Sequence, residues 1–254
     1  MCTFQIASDL HLEFLEDDHI NIYDFITPSA DILILAGDIG SIYRIKQLKN
    51  FILSLSKHFD YIIYIPGNNE YYVVNNIPKK SFFVLKKILK NLESEIDNLF
   101  ILDRECLYID NICICGATLW SYPLCIIPKF IVRIDDMNTE RYLSEHLLDL
   151  EFIKNTIENC KQTNKQLIII THHPPTYEIL QSNRLNKKKY ISLYASHLDY
   201  LLNNNNILLW VCGHIHYNFD IIYNSGCRLL SNQKGKPKEN VKNFIKDKII
   251  NLNF

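Results

Sequence analysis

Seven residues of this chain combine metal-ligand chemistry with a common local setting: Asp9, His11, Asp38, Asn68, His172, His214 and His216. Each closely follows a short apolar run. Imidazole, carboxylate and one amide oxygen form a mixed N/O donor set that disfavours Ca²⁺ and admits Mn²⁺, Fe, Zn²⁺ or Ni²⁺. Asp9/His11 and His214/His216 are spaced by two, which in extended backbone sends both side chains to one face. Taken singly the signals are weak. A lone buried His is more often a hydrogen-bonded structural residue than a ligand, and Gly-Asp after a strand is commonly a turn. Their joint occurrence, in order and always after an apolar run, carries the argument. Seven ligands suffice for two metals. A shared carboxylate, for which Asp38 is the candidate, would hold them on the order of 3.5–4 Å apart.

The runs that must position these residues are Thr3 to Ala7, Asp31 to Ala36, Tyr61 to Ile65, Gln166 to Ile170 and Ile207 to Val211. Their near-continuous hydrophobicity predicts strands covered on both faces, as in a parallel sheet. The C-terminal ends of such strands gather at one edge, where ligands bind. Between them, Ile42 to Lys57, Lys80 to Leu92 and Thr139 to Lys161 place apolar residues at helical spacing, the last through Leu143, Leu147, Leu150, Ile153 and Ile157, and predict crossover helices. Two hairpins are expected, Cys106 to Ala117 turning at Asp110-Asn111, and Phe219 to Leu230 turning at Asn224-Ser225-Gly226. The polar stretches Gln181 to Lys189 and Gln233 to Lys238 read as mobile loops. The chain reads as α/β with some antiparallel strands, in one domain spanning residues 1–254.

Of the 254 residues, 48% are hydrophobic and 22% charged, which excludes a wholly disordered chain. The formal net charge is -1, so a nucleic-acid partner has no support from charge. No apolar stretch is long enough to span a membrane, and the first residues lack the pattern of a signal peptide. A cytoplasmic protein with no membrane partner is expected. The eight cysteines lack a Cys-x-x-Cys pair and sit mostly in apolar runs, so reduced, buried thiols are expected.

Asp9-Leu10-His11, Gly37-Asp38, Gly67-Asn68-Asn69-Glu70, Thr171-His172-His173-Pro174 and Gly213-His214-Ile215-His216 resemble the five ordered blocks of the calcineurin-like metallophosphoesterase superfamily. The block Asn68-Asn69-Glu70-Tyr71-Tyr72 is most similar to its small single-domain members. The resemblance implies a four-layer α/β/β/α sandwich, two central mixed sheets flanked by helices. It implies one metal on Asp9, His11, Asp38 and His216, and a second on Asp38, Asn68, His172 and His214. It favours Mn²⁺. The expected reaction is hydrolysis of a phosphoester, mono- or diester, by a hydroxide bridging the metals. A phosphorylated small molecule or a nucleotide is the expected substrate.

The sequence departs from the pattern at position 69, where the family carries a substrate-facing His and this chain has Asn. Asn cannot donate a proton near neutral pH, although its amide N–H can still bond a phosphate oxygen. Losing a general acid costs on the order of 10²–10⁴-fold. Three readings stay open: catalysis without this acid, a binding scaffold that has lost activity, or an engineered change. All seven ligands are intact, which favours catalysis. Asn69 and His173 are the candidate catalytic residues, His173 either facing substrate or supporting a ligand. Tyr71, Tyr72, Trp120 and Tyr177 are candidates for a pocket rim. Cys212 reads as core, and Lys187-Lys188-Lys189 as a solvated face or a substrate attractor.

Overall fold

The computed structural model describes residues 3–16, 18–181 and 190–252. Each of the five apolar runs forms a strand. They are β1 (Thr3–Ala7), β2 (Ile32–Ala36), β3 (Tyr61–Ile65), β7 (Gln166–Thr171) and β8 (Ile207–Val211). The hairpins form as β5 (Glu105–Ile109) with β6 (Ile112–Ala117), and β9 (Asp220–Ile222) with β10 (Arg228–Leu230). Two three-residue strands, β4 (Leu99–Ile101) and β11 (Ile249–Asn251), complete the sheets. One sheet runs β11-β1-β2-β3-β4 and the other β5-β6-β7-β8-β10-β9. Both are mixed, with β1 to β4 parallel in the first and β6, β7, β8 and β10 parallel in the second.

Alternation along the strands explains their continuous hydrophobicity. Phe4, Ile6, Ile34 and Ile63 of the first sheet pack between the sheets against Ile114, Ile168, Ile170 and Val211 of the second. Leu33, Leu35, Ile62 and Tyr64 point the other way, onto Leu48, Ile52, Leu85 and Leu89. Those residues belong to α1 (Ile45–Leu55) and α2 (Phe82–Lys90). On the far side, Cys113, Cys115, Leu167 and Ile169 meet Ile153, Ile157 and Cys160 of α3 (Thr139–Gln162). The result is the expected four layers, helices, sheet, sheet and helices.

The helix ends follow local chemistry. A 3₁₀ turn at Ile42–Arg44 precedes α1, with the Ser41 hydroxyl accepting from Tyr43 N–H. Ser81 and Asn138 cap α2 and α3 in the same way. One helix face differs from expectation. Leu147 is exposed, and the first half of α3 buries Tyr142, His146 and Asp149 instead. His146 Nδ1 donates to the Trp120 carbonyl, and the Trp120 N–H donates to Asp149 at 3.3 Å. The helix trades apolar contact there for a clamp on the Trp120 backbone.

Among the described residues the cysteines are free thiols, and no helix is long and apolar enough to cross a membrane. Residues 182–189, with the Lys187-Lys188-Lys189 run, lie outside the described residues; Gln181 ends a short helix, α4 (Glu178–Gln181). The stretch Gln233 to Lys238 is not the mobile loop expected. Gln233 is fully buried and forms a β-bridge with Ser8, because its side chain accepts from His216 N–H and donates to the Tyr217 carbonyl.

Ile168 is fully buried between the two sheets. Ile168→Ala is expected to cost about 2–5 kcal/mol. Ile222→Ala, at a position 71% exposed, is expected to stay within about 0.5 kcal/mol. Chemical denaturation of the two variants checks the contrast; equal costs would contradict the layer assignment.

Candidate metal centre

Asp9 and His11 follow β1, Asp38 follows β2, Asn68 follows β3, His172 follows β7, and His214 and His216 follow β8. All seven lie beyond the C-terminal ends of parallel strands drawn from both sheets. The loops are tied to one another: Asp9 N–H donates to Gly37 O, His11 N–H to Asp38 O, and Gly213 N–H to His172 O. The spacing by two works differently from the extended geometry expected. Asp9, His11, Asp38, His214 and His216 all have left-handed backbone, with φ between 52° and 73°. Tight left-handed turns, not continued strands, bring the side chains together. Non-glycine residues in this region concentrate at functional sites, at a cost of order 1–3 kcal/mol each.

The ligand atoms converge in two groups, Asp9, His11, Asp38 and His216, and Asp38, His172 and His214. Within each group they lie within 4.8 Å of one another, and Asp38 belongs to both. Asn68 Oδ1 joins the second group, 3.0 Å from His172 Nε2. Each imidazole has one nitrogen anchored on an oxygen outside the cluster. His11 Nδ1 bonds Glu13, His172 Nδ1 the Ala36 carbonyl, His214 Nε2 the Leu193 carbonyl, and His216 Nδ1 Glu239. The opposite nitrogens face inward. His11 Nε2 stands 3.0 Å from His216 Nε2, and His214 Nδ1 stands 3.2 Å from His172 Nε2. Anchoring one nitrogen fixes the tautomer and leaves the other as a lone-pair donor, as in histidines that bind metal.

The charges point the same way. Asp9 and Asp38 are fully buried, and among the described residues neither has a Lys or Arg within 4.0 Å. Burial alone would raise both, but the imidazoles around them prevail. Asp9 is held below its ordinary value by His216 and His172, and Asp38 well below by His172, His11 and His214. In return, His172 is pushed up to about 9 against burial by Asp38 and Asp9. His216 is pushed up to about 10 by Asp9 and Glu239. Burial and the His172 charge drop His214 to about 3. Without a metal, protons on two imidazoles supply the positive charge that the buried carboxylates demand. This donor set fits divalent cations.

Glu70, present in the third block but without an assigned role in the sequence, is the clamp behind Asp38. Its buried carboxylate accepts from the N–H groups of Asp38, Ile39 and Gly67 and from the Tyr64 hydroxyl. Burial and the Asp38 charge push it up to about 8, while its donors oppose the rise. Gly67 is required beside it: a Cβ there would lie 2.3 Å from Asp38 Oδ1 and 2.9 Å from the His172 ring. Glu13, Glu239 and Gln233, whose side chain accepts from His216 N–H, were likewise invisible in the sequence. They lie outside the motif blocks; Glu13 sits two residues from His11, and the fold brings Glu239 and Gln233 to His216.

A cavity of about 410 Å³ opens onto Asp38, Asn68, His214 and His216, with Asn69 and His173 in its lining. Asn69 donates its backbone N–H to Asp38 Oδ1 at 2.8 Å and its side-chain amide to Asp38 Oδ2. His173 is buried, donates Nδ1–H to the Thr118 carbonyl at 3.3 Å, and packs 4.0 Å from the His214 ring. Burial and the charges of His214 and His172 hold it well below its ordinary value, so its ring is neutral. Tyr72 and Trp120 line the cavity. Tyr71 instead packs in the core against Phe82, and Tyr177 stacks on His197. Cys212 is core, as expected.

A sheet-on-sheet sandwich with this cluster at the strand ends defines a metallophosphoesterase fold. The model of the calcineurin-like phosphoesterase family matches residues 3–218, and the chain belongs to that family. It is 31% identical to an uncharacterised protein of Acanthamoeba polyphaga mimivirus, over 94% of this chain and 93% of that one. It is 24% identical to an uncharacterised metallophosphoesterase of Helicobacter pylori, over 72% of this chain and 46% of that one. Among solved structures, phosphopantetheinyl hydrolase from Mycobacterium tuberculosis superposes with a TM-score of 0.66 at 18% identity, over 92% of this chain and 90% of that one. A dimetal phosphatase from Danio rerio superposes with a TM-score of 0.51 at 13% identity, over 91% and 86%. At those identities the structures speak for the fold.

Gln at position 70 offers one acceptor oxygen where the carboxylate offers two. Glu70→Gln is therefore expected to lower stability by about 1–3 kcal/mol and metal affinity by about 10–100-fold. Thermal unfolding and metal titration check both; an unchanged affinity would show that Glu70 does not hold Asp38 in place.

Proposed function

We propose that this chain hydrolyses a small organic phosphoester with the help of two divalent cations, one on Asp9, His11, Asp38 and His216 and one on Asp38, Asn68, His172 and His214. The observation that carries the reading is the convergence of four imidazoles, each anchored from behind, on a carboxylate common to both groups. Family membership supports phosphoester hydrolysis in general. The description of the Danio rerio relative as a dimetal phosphatase supports the count of two. The mixed N/O donors suit Mn²⁺, with Fe, Zn²⁺ or Ni²⁺ as alternatives.

When bound, the cations supply Lewis acidity toward the phosphoryl oxygens and lower the pKa of a water. The protein does the rest. Asp38 fixes the two groups relative to each other. Glu70 holds the Asp38 backbone, and Glu13 and Glu239 hold His11 and His216 in their ligating tautomers. The cavity wall of Tyr72, Ile131, Tyr190, Leu193 and Tyr194 is apolar and aromatic, and its volume is that of a small-molecule site. This favours a phosphorylated small molecule or nucleotide over a polymer, which would need a basic track.

Hydrolysis of paired mono- and diester substrates, with and without Mn²⁺, tests the reading. Metal-dependent turnover is expected. Asp38→Asn should reduce it by more than about 10²-fold, since even the partners that support metal ligands are worth about 10–100-fold. No turnover above that variant, with metal bound, would leave a binding scaffold. Proton linkage gives a second test. His172, held up to about 9, and His216, up to about 10, carry protons at pH 7 in the metal-free chain and must lose them to coordinate. Metal uptake at pH 7 should release about two protons, and apparent affinity should rise with pH toward those values. Calorimetry in buffers of different ionisation enthalpy measures the release; uptake without it would contradict the ligand assignment.

A further inference from the structure

Neither position where the block pattern leads one to look for a substrate-facing proton donor has its donor free for a substrate. Asn69 spends its side-chain amide on Asp38, and His173 is buried with its Nδ1 tied to the Thr118 carbonyl at 3.3 Å. Yet the transferred phosphoryl group carries negative charge that must be met on the side away from the metals. Among the described residues lining the cavity, Lys236 is the one Lys or Arg. It has no carboxylate within 4.0 Å of its ammonium among the described residues. The acidic group next to it on the same loop, Glu239, is engaged by the His216 ring and by the Lys236 backbone N–H at 2.9 Å.

The loop that carries Lys236 is not free to drift. Lys234 N–H donates to Ser8 O at 3.1 Å, and Gly235 N–H donates to Asp9 O at 2.9 Å. Gly235 has φ of +77°, and a Cβ there would lie 2.3 Å from Val241. Gln233 and Glu239 both contact His216. Lys236 thus stands one residue from a bond to the backbone of one metal-ligand candidate. Three residues further on, the same loop contacts the side chain of another.

We infer that Lys236 makes the phosphate contact that the family pattern gives to a histidine at position 69, its ammonium donating hydrogen bonds to a nonbridging phosphoryl oxygen of the substrate. The inference rests on the phosphoester reading of the site. A point charge on a flexible stem suits this task, since it meets phosphate without demanding one geometry. The contact strengthens as charge develops on the equatorial oxygens, which is when preorganised donors accelerate a reaction.

Binding of inorganic phosphate to the Mn²⁺-loaded protein separates this inference from catalysis. Calorimetry would compare wild type, Lys236→Met and Lys236→Arg, with metal content measured on each. The Met variant should keep its metal, bind phosphate at least about tenfold more weakly, and lose about 10–100-fold in kcat/KM, the range for one hydrogen bond to a charged group. The Arg variant should stay within about threefold of wild type in phosphate affinity. Adding Asn69→His to Lys236→Met should recover part of the loss in kcat/KM. Phosphate affinity within twofold of wild type in the Met variant would overturn the inference, and so would loss of metal from it, which would mark the residue as structural. Wild-type protein that binds phosphate through Lys236 but turns over no ester would overturn the catalytic reading alone. Wild-type protein that binds neither metal nor phosphate would overturn both.

Discussion

Two carboxylates, Asp9 and Asp38, are buried with no Lys or Arg of the described residues beside them, and the rest of the site follows from that. Taking a carboxylate out of water costs several kcal/mol unless positive charge and hydrogen bonds replace the solvent. Here the groups in reach are four imidazoles and a set of backbone N–H donors. His214 N–H bonds both Asp9 oxygens, at 3.0 and 3.1 Å, and Asn69 N–H bonds Asp38. Two of the imidazoles are ambivalent. His172 and His216, held up by the carboxylates, neutralise them as cations when no metal is bound, and they would serve as lone-pair donors to a metal. On the proposed reading, this arrangement would take up a divalent cation in exchange for protons.

Holding so many donors at one point imposes its own cost, visible in the backbone. Left-handed conformations at Asp9, His11, Asp38, His214 and His216 persist because the loops bond one another and because the strands beneath them are rigid. The sandwich supplies that rigidity. Strands covered on both faces cannot slide without exposing Ile34, Ile63, Ile168 or Ile170, so their C-terminal ends present the loops in fixed register. Glu70 then joins the loop after β2 to the loop after β3 through backbone donors from each.

The sequence made the strands and ligands legible for one reason. A strand buried on both faces reads as an uninterrupted apolar run, and the chemistry begins at the first polar residue after it. Thr3–Ala7, Tyr61–Ile65 and Ile207–Val211 were recognisable to the residue. β4 and β11 were not, because three residues carry no period. The buried face of α3 was misread because His146 and Asp149 are buried for their hydrogen bonds to Trp120, a reason that hydrophobic spacing does not register. Glu13, Glu239, Gln233 and Lys236 escaped notice for a related cause. Each is an ordinary polar residue outside the motif blocks; Glu13 acts on its near neighbour His11, and the loop carrying the last three looked like solvated tail.

The central claim is that Asp38 is shared by two cations. Anomalous diffraction from crystals grown with Mn²⁺ tests it most directly. The account predicts two peaks on either side of the Asp38 carboxylate, one among Asp9, His11 and His216 and the other among Asn68, His172 and His214. A single peak, or peaks away from Asp38, would contradict it.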